Sequence, residues 1–203
     1  MPAISVLIVD DSSNDGTAEF LAAAKHPNLH TLYRKSNLGY GKACADGFKW
    51  VFNKPFKYLI TMDADFSHNY RAVPSLAENL SSNDVAIGSR YVAGGKIENW
   101  SWHRRILSKA ANLYVRSVLK IKVKDMTTGF NAYRSDALSK IDLEQIKSDG
   151  YAFLVELKYR LIKTGARVME HPITFSERRE GQSKMSRKII WESVKLPWKL
   201  LNS

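Results

Sequence analysis

The feature that most constrains this chain is an alternation of short apolar runs, rich in β-branched residues, with amphipathic stretches. Runs of four or five such residues are typical of strands. They cover Ser5–Val9, Leu29–Tyr33, Tyr58–Met62, Val85–Gly88 and Arg167–His171. The helical stretches between them are Thr17–Ala24, Gly41–Phe52 and Tyr70–Leu80. This alternation predicts an α/β fold with a mostly parallel sheet and helices on both faces.

The second half of the sequence is more helical than the first. Trp102–Leu119 and Tyr151–Thr164 are long periodic stretches, and Lys188–Leu201 forms an amphipathic tail. Basic residues mixed with Ile, Trp and Leu are typical of a helix in a membrane interface, although a helix packed on the domain has the same pattern. The sequence contains no repeat or linker, so we predict one domain over 1–203, with 186–201 as an interface helix.

Two acidic clusters follow predicted strands, at the ends where open α/β sheets bind ligands. Asp10 and Asp11 follow the first strand and open a loop that can hold a nucleobase or ribose through carboxylate oxygens. Asp63 and Asp65 follow the third strand. Two carboxylates one residue apart can bind Mg²⁺ or Mn²⁺, or divide between metal and ribose. A solvated turn or a helix cap is the alternative for each cluster.

A glycine-rich loop opens the second predicted helix. It runs from Asn37 to Lys42 and contains Gly39 and Gly41. Glycines let the backbone approach a ligand closely, and a helix N-terminus with a nearby lysine favours phosphate. Gly39 and Lys42 are therefore candidates for donor binding, with an ordinary glycine turn as the alternative.

Arginines are the candidates for binding a second anion, because a guanidinium fork matches phosphate oxygens at two points. Those in suitable segments are Arg90, Arg104, Arg105, Arg178 and Arg179. They can act on one phosphate only if the fold brings them together. Their geometry is therefore the main test of the hypothesis.

Charge and composition exclude several classes of function. The chain has 31 Lys and Arg residues against 20 Asp and Glu, a formal net charge of +11 that favours anionic partners. Nucleic acid is disfavoured, because no recognition motif is present and it would leave the acidic loops unexplained. The histidines lack metal-ligand spacing, and His68 beside the acidic loop fits a structural residue better than a general base. One cysteine excludes an internal disulfide, which fits a soluble or peripheral intracellular protein.

Taken together, these segments resemble the GT-A glycosyltransferases of family 2. The shared segments are Val9–Thr17, Met62–His68 and Gly88–Tyr91. Further segments, most of them later in the sequence, are similar to those of the dolichol- and polyprenol-phosphate mannosyltransferases within that family. They comprise Trp100–Asn112, Thr128–Phe130, Gly150–Phe153, Glu156, Pro172–Phe175, Arg178 and Gly181–Lys184. The match spans nearly the whole chain in the family's order, which makes the set more specific than any single motif.

The resemblance implies a Rossmann-like GT-A fold and an inverting transfer of mannose from GDP-mannose to polyprenyl or dolichyl phosphate, with Mg²⁺ or Mn²⁺. With Gly39 and Lys42 of the glycine-rich loop included, the donor-binding residues are Asp10, Asp11, Gly39, Lys42 and Asp63. The metal ligands are Asp63 and Asp65, and Ser67 stands where some relatives have a further metal-side ligand. The residues for the acceptor phosphate are Arg90, Arg104, Arg178 and Lys184, and those counted as catalytic are Asp65 and the three arginines. Arg105 and Arg179 are the less favoured neighbours.

The chain departs from the family pattern at its beginning. Relatives start with a further strand and helix that carry a P-T-Y-N-E-like segment, which nothing here matches. In the GT-A sheet that strand lies between the first and third strands predicted above, so its loss would open the sheet. We therefore expect Met1 to be an internal methionine of a longer reading frame.

Two alternatives to polyprenyl-phosphate mannosyl transfer stay open. One keeps the fold and uses another donor, such as UDP-glucose. The other is an inactive fragment that binds a nucleotide or a lipid. For the enzyme, we expect a peripheral position at the cytoplasmic face of a membrane, with a membrane subunit as a candidate partner.

Overall fold

The structure is a computed structural model that describes residues 4–36, 39–177 and 187–202. It divides into two compact units, Met1–Pro55 and Phe56–Ser203. No helix in these ranges has the length and hydropathy needed to cross a membrane.

The first unit contains a two-stranded parallel sheet and two helices. Its elements are β1 (Val6–Asp10), α1 (Thr17–Ala23), β2 (Leu29–Tyr33) and α2 (Tyr40–Phe52). β1 and β2 pair along their full length. Helix α2 packs closely on β1, because a Cβ added to Gly47 would stand only 3.2 Å from a methyl carbon of Val9. This contact explains a glycine inside a helix, where its backbone entropy would otherwise count against it.

The second unit is built on a four-stranded sheet. Its strands, in chain order, are β3 (Tyr58–Thr61), β4 (Val85–Ser89), β6 (Asn131–Arg134) and β7 (Val168–Pro172). Across the sheet the order is β3-β6-β4-β7. Strand β6 runs antiparallel to both neighbours, while β4 and β7 are parallel. A second, small parallel pair joins β5 (Lys96–Ile97) to β8 (Thr174–Phe175).

Five helices accompany these strands. They are α3 (Val73–Glu78), α4 (Trp102–Leu119), α5 (Ser135–Leu138), α6 (Gly150–Lys163) and α7 (Arg187–Leu201). Helix α3 packs on the sheet. Its Leu76, together with Leu80 in the 3-10 turn that follows it, belongs to one core cluster with the buried side chains of Ala86, Phe130, Ala132 and Ile173. Each large apolar side chain buried in this way contributes about 1.5–3 kcal/mol. Helix α7 contacts α4 and α6 and buries Leu196 and Leu200.

The α/β fold and every predicted strand and helix are confirmed, and outside the 70–80 stretch their ends differ by at most one residue. The 70–80 stretch is a short α-helix flanked by 3-10 turns rather than one regular helix. Strand β6 is an addition that the sequence did not predict. In the described residues, β1 has β2 as its one strand partner and β3 has β6. The expected further strand before the chain stays a prediction.

Candidate active site

The loop after β1 ties together two segments predicted to bind the donor. Asp10 is buried, and its carboxylate accepts a long hydrogen bond of 3.4 Å from the Ser13 N–H. Asp11 forms an ion pair with Arg34 and accepts a hydrogen bond of 3.1 Å from the Gly39 N–H. The Asp11 carboxylate therefore fixes the acidic loop to the glycine-rich loop.

Arg34 is a member of this group that the sequence analysis missed. Its Nε donates to Asp46 of α2 at 2.9 Å while its Nη1 reaches Asp11. The one signal in the sequence is its place directly after β2, at the same sheet end as Asp11. Gly39 has a φ of 95°, in the region that favours glycine, and Lys42 is exposed in the first turn of α2. This unit therefore presents backbone, carboxylate and lysine groups together at one end of β1 and β2.

The second acidic loop holds Asp65 in place from within. The Ser67 N–H donates to the Asp65 carboxylate at 3.0 Å, and the buried Ser67 hydroxyl donates to the same oxygen. Phe66, between them, has a φ of 61°. An aromatic residue rarely adopts this left-handed conformation, which costs on the order of 1–3 kcal/mol. Ser67 thus holds Asp65 with two hydrogen bonds, and Asp63 and Asp65 stay the candidate metal ligands.

The donor chemistry of this loop fits a hard divalent cation. Asp63 and Asp65 offer carboxylate oxygens, and the part of the chain that the structure describes contains no group of three or more His, Cys, Asp or Glu side chains suited to a metal. Mg²⁺ is ordinarily held by one or two carboxylates, with substrate phosphates and water completing the coordination. Two aspartates are therefore a sufficient protein contribution.

The His68 side chain contacts Asp63 of the second acidic loop. Its ring is buried, with Nε2 3.4 Å from an Asp63 oxygen. The ring centroid lies 5.1 Å from those of both Phe130 and Phe175. Neither ring nitrogen makes a hydrogen bond to the described residues. These surroundings fit a structural residue that supports Asp63.

Arg90 and Arg104 meet over one tryptophan ring. The guanidinium carbon of Arg104 lies 4.1 Å from the Trp100 ring centroid, and that of Arg90 lies 5.6 Å from it. Both distances are within the range of cation–π attraction. Trp100 is buried against Phe175, with 5.3 Å between centroids, and Phe175 in turn contacts His68. Aromatic side chains therefore connect the two arginines to the second acidic loop.

Arg90 is held by a buried carboxylate, which the sequence analysis did not anticipate. Its Nε and Nη2 each donate at 2.7 Å to a different oxygen of Asp125. Nη2 also donates to the Thr127 hydroxyl at 2.8 Å. Nη1 makes no hydrogen bond within the described residues. The fold thus occupies one edge of this guanidinium and leaves one nitrogen for a ligand.

Burial and ion pairing shift the pKa values of Arg90 and Asp125 in opposite directions. Burial alone would lower the pKa of Arg90, but hydrogen bonds and the charge of Asp125 raise it. Burial alone would raise the pKa of Asp125, but the bonds and charge of Arg90 hold it below its usual value. Both groups are therefore charged at neutral pH.

A groove of about 260 Å³ opens beside Arg90. It is lined by Arg90, Tyr91, Ile97, Arg105, Ile106 and Lys109. Three of these side chains are cationic, none is acidic, and the others are largely apolar. Arg105, the less favoured neighbour in the sequence, lies in this groove one helical turn from Lys109. The spacing of four residues on a helix that carries no acidic side chain was the available signal for Lys109.

The predicted residues fall into three groups by location. Asp10, Asp11, Gly39 and Lys42 belong to the first unit, and Asp63, Asp65, Arg90 and Arg104 belong to the second. Arg178, Arg179 and Lys184 lie outside the described residues, and their roles stay predictions.

Known proteins similar in sequence cover most of this chain. The family model for glycosyl transferase family 2 matches residues 1–142. The undecaprenyl-phosphate mannosyltransferase of Micrococcus luteus is 43% identical over 196 residues, which are 96% of this chain and 81% of that protein. The polyprenol monophosphomannose synthase of Mycolicibacterium smegmatis is 44% identical over 197 residues, with 95% and 74% covered.

A solved structure shows the same fold at low sequence identity. Glucosyl-3-phosphoglycerate synthase of Mycobacterium tuberculosis, crystallised with Mn²⁺, UDP and glucosyl-3-phosphoglycerate, superposes with a TM-score of 0.63. The identity is 16%, and the match covers 98% of this chain and 68% of that one. The likeness shows a GT-A-like α/β fold.

Proposed function

Because the chain belongs to glycosyl transferase family 2 and is a glycosyltransferase, we propose that it transfers mannose from GDP-mannose to a polyprenyl phosphate, with inversion. Two relatives whose names specify mannose and a polyprenyl acceptor share 43% and 44% of their aligned residues with it. The structural observation that carries the proposal is the meeting of Arg90 and Arg104 over Trp100, which is connected to the Asp63 loop through Phe175 and His68. These two guanidinium groups would bind an anion, with the Asp63 and Asp65 carboxylates available for the metal.

In this reaction the acceptor needs charge compensation more than it needs a base. A phosphate monoester has a second pKa of about 6, so it is largely ionised at neutral pH and already nucleophilic. Arg90 would donate through Nη1, and Arg104, whose side chain is the more exposed of the two, would donate from its own position over Trp100. Arg178 and Lys184 complete the proposed acceptor set. Such fixed positive groups reduce the repulsion between the acceptor phosphate and the donor diphosphate.

The groove beside Arg90 suits the part of the acceptor next to the phosphate. Its cations, Arg105 and Lys109, would neutralise phosphate, and Ile97 and Ile106 would contact the first isoprene unit. An acceptor with one anionic end and an apolar chain matches this lining better than a hydrophilic sugar phosphate does.

On the donor side, Asp10 and Asp11 would bind the nucleoside, while Gly39 and Lys42 would face its phosphates. Asp63 and Asp65 would hold Mg²⁺ or Mn²⁺, with Asp65 oriented by Ser67 and Asp63 supported by His68. A divalent ion there would offset the charge that develops on the departing diphosphate. The solved synthase of the same fold was crystallised with Mn²⁺.

We also propose that α4 and α7 rest on a membrane surface. Trp102, Ile106 and Leu113 are exposed on one face of α4, four and seven residues apart. Trp198 of α7 is exposed too, and its ring nitrogen donates to the Tyr114 hydroxyl of α4. Apolar and basic side chains on neighbouring helices suit an anionic membrane interface. The cytoplasmic face, and a membrane subunit as partner, belong to the same proposal.

The test is transfer of labelled mannose from GDP-mannose to a polyprenyl phosphate in detergent with Mg²⁺ or Mn²⁺. We expect product in the organic phase, and loss of at least roughly a hundredfold in rate for Asp65→Ala, because several kcal/mol of charge stabilisation would be removed. Glu78→Ala is the matched control, since Glu78 is an exposed carboxylate of the same unit.

The donor is tested separately, by comparing GDP and UDP for protection against thermal unfolding in the presence of Mn²⁺. Selective protection by GDP is expected. Transfer from UDP-glucose with no transfer from GDP-mannose would overturn the choice of donor. No transfer from either donor, despite nucleotide binding, would favour the inactive alternative.

A further inference from the structure

Lys158 of α6 is a buried cation that the proposed reaction does not use. The residue is 2% exposed. Its Nζ donates to the carbonyl oxygens of Met126 at 3.0 Å and Thr128 at 2.8 Å. Both acceptors belong to the segment Asp125–Thr128, in which the side chains of Asp125 and Thr127 bind Arg90.

The contacts of this segment alternate along the chain. Asp125 and Thr127 bind the Arg90 guanidinium through their side chains. Met126 and Thr128 give their carbonyl groups to Lys158. The segment therefore lies between two cations, with Arg90 bound by its side chains and Lys158 bound by its backbone.

Two other elements fix the same segment. The Asn112 side chain of α4 accepts from the Met126 N–H at 2.8 Å and donates to the Thr127 hydroxyl at 3.0 Å. Glu170 of β7 accepts from the Asp125 N–H at 2.9 Å. The position of Asp125 is thus set from α4, α6 and β7, and the position of Arg90 follows from Asp125.

We propose that Lys158 is a positioning residue for acceptor binding. By holding the carbonyl groups of Met126 and Thr128, it keeps Asp125 and Thr127 on the Nε and Nη2 edge of Arg90, which leaves Nη1 directed to the ligand. This role rests on the proposed function, because it acts through the arginine assigned to the acceptor phosphate.

The free-energy cost of this lysine supports a functional reason for its presence. Phe153, Leu154, Leu157 and Leu161 of the same helix are also buried, and an apolar residue at position 158 would avoid desolvating a charge. Burial lowers the pKa of Lys158 to about 7, although the negative charges of Asp125 and Glu170 oppose the shift and Arg90 adds to it. Local rules of core composition are broken mainly where a site requires it.

The experiment measures KM for a short-chain polyprenyl phosphate, KM for GDP-mannose and kcat in Lys158→Met. Methionine has a similar length and cannot donate to the two carbonyl groups. We expect the acceptor KM to rise about tenfold with the donor KM unchanged, because the guanidinium would lose its fixed orientation. Lys163→Met, an exposed lysine of the same helix, should change neither value.

A double-mutant cycle with Arg90→Lys separates positioning from a general structural effect. Lysine keeps the charge opposite Asp125 but lacks the two-point fork. If Lys158 acts through Arg90, the effect of Lys158→Met on the acceptor KM should fall below about twofold in the Arg90→Lys background. Equal effects in both backgrounds, or parallel increases in the KM of donor and acceptor, would overturn the inference.

Two further outcomes are informative. If Lys158→Met does not fold, Lys158→Gln, which keeps neutral N–H donors, goes through the same cycle and is judged by the same criteria. If the wild-type protein transfers no mannose, the proposed function fails. If it does, and Arg90→Lys raises the acceptor KM while Lys158→Met does not, this inference alone fails.

Discussion

Two arginines stand over the Trp100 ring and are held in opposite ways. Arg90 is 7% exposed and bound at two points by a fully buried carboxylate. The Arg104 side chain is 32% exposed and pairs with Glu177, which is itself 44% exposed. Surface ion pairs contribute about 0–1 kcal/mol, whereas removing one partner of a buried pair costs about 3–5 kcal/mol.

The comparison distinguishes a side chain oriented by the fold from one that a ligand can orient. The Arg90 guanidinium is in position before an anion arrives, so binding there costs little conformational entropy. Arg104 pairs with an exposed carboxylate, and because surface ion pairs are weak, a phosphate would displace Glu177 at little cost. A site with one fixed and one adjustable cation combines preorganisation with access.

The largest expected effect on the free energy of unfolding comes from breaking the buried Arg90–Asp125 pair. Asp125→Ala should lower the free energy of unfolding by about 3–5 kcal/mol, because it leaves the Arg90 charge buried without its partner. Urea denaturation followed by circular dichroism measures this change. Asp136→Ala is the matched control, since it removes an exposed aspartate that pairs with Arg134, and it should cost less than about 1 kcal/mol. Equal losses would contradict the distinction drawn between buried and exposed pairs.

The next effect on stability is a pH dependence that arises from Lys158, which binds the carbonyl groups of the Asp125–Thr128 segment. Burial lowers the pKa of Lys158 from its ordinary value of 10.5 to about 7 in the folded protein. Between these values the unfolded chain holds the proton that the folded chain has lost, so the free energy of unfolding rises with pH, by at most about 1.4 kcal/mol per pH unit.

Below the folded pKa both states are protonated, and this contribution to the slope disappears. The measurement is the difference between wild-type and Lys158→Met unfolding free energies across that interval, which removes the contribution of other titrating groups. A constant difference between the two proteins would show that Lys158 keeps its ordinary pKa.

The smallest effect on stability is expected at the adjustable arginine. Arg104→Ala should change the free energy of unfolding by less than about 1 kcal/mol, while raising the acceptor KM about tenfold. Glu177→Gln should lower that KM about twofold, because Arg104 would no longer have a competing carboxylate. Lys122→Ala, at an exposed lysine outside the groove, is the control for net charge. A loss of stability at Arg104 as large as that at Asp125 would remove the contrast between the two arginines.

The local parts of this structure could be predicted from sequence, because they depend on periodicity within short segments. Helix α4 was predicted to the residue, and the acidic loops were predicted at strand ends. Strand β6 was missed because Asn131-Ala132-Tyr133-Arg134 has no β-branched residue, and its extended form depends on pairing with β3 and β4.

In the candidate site, too, features that depend on tertiary contacts could not be predicted from the sequence. The test set by the sequence is that Arg90, Arg104 and Arg178 meet. In the structure Arg90 and Arg104 lie over one ring, while Arg178 lies outside the described residues, so the assignment of the three to one phosphate stays a prediction. Asp125 was missed because it lies 35 residues from Arg90 and outside any predicted motif. Arg34 was missed for a related reason, since its two carboxylate partners are 23 and 12 residues away. Partners of this kind become visible only when tertiary structure brings distant segments together.

The shared tryptophan ring also bears on how the enzyme would select its lipid. Two like charges held near one ring repel each other, and an anion that carries two negative charges relieves that repulsion more than an anion that carries one. Ordinary membrane phospholipids are mostly diesters, with a single charge on each phosphate, whereas the proposed acceptor is a monoester that ionises twice. A rare lipid could therefore be distinguished from an abundant background by the number of its charges.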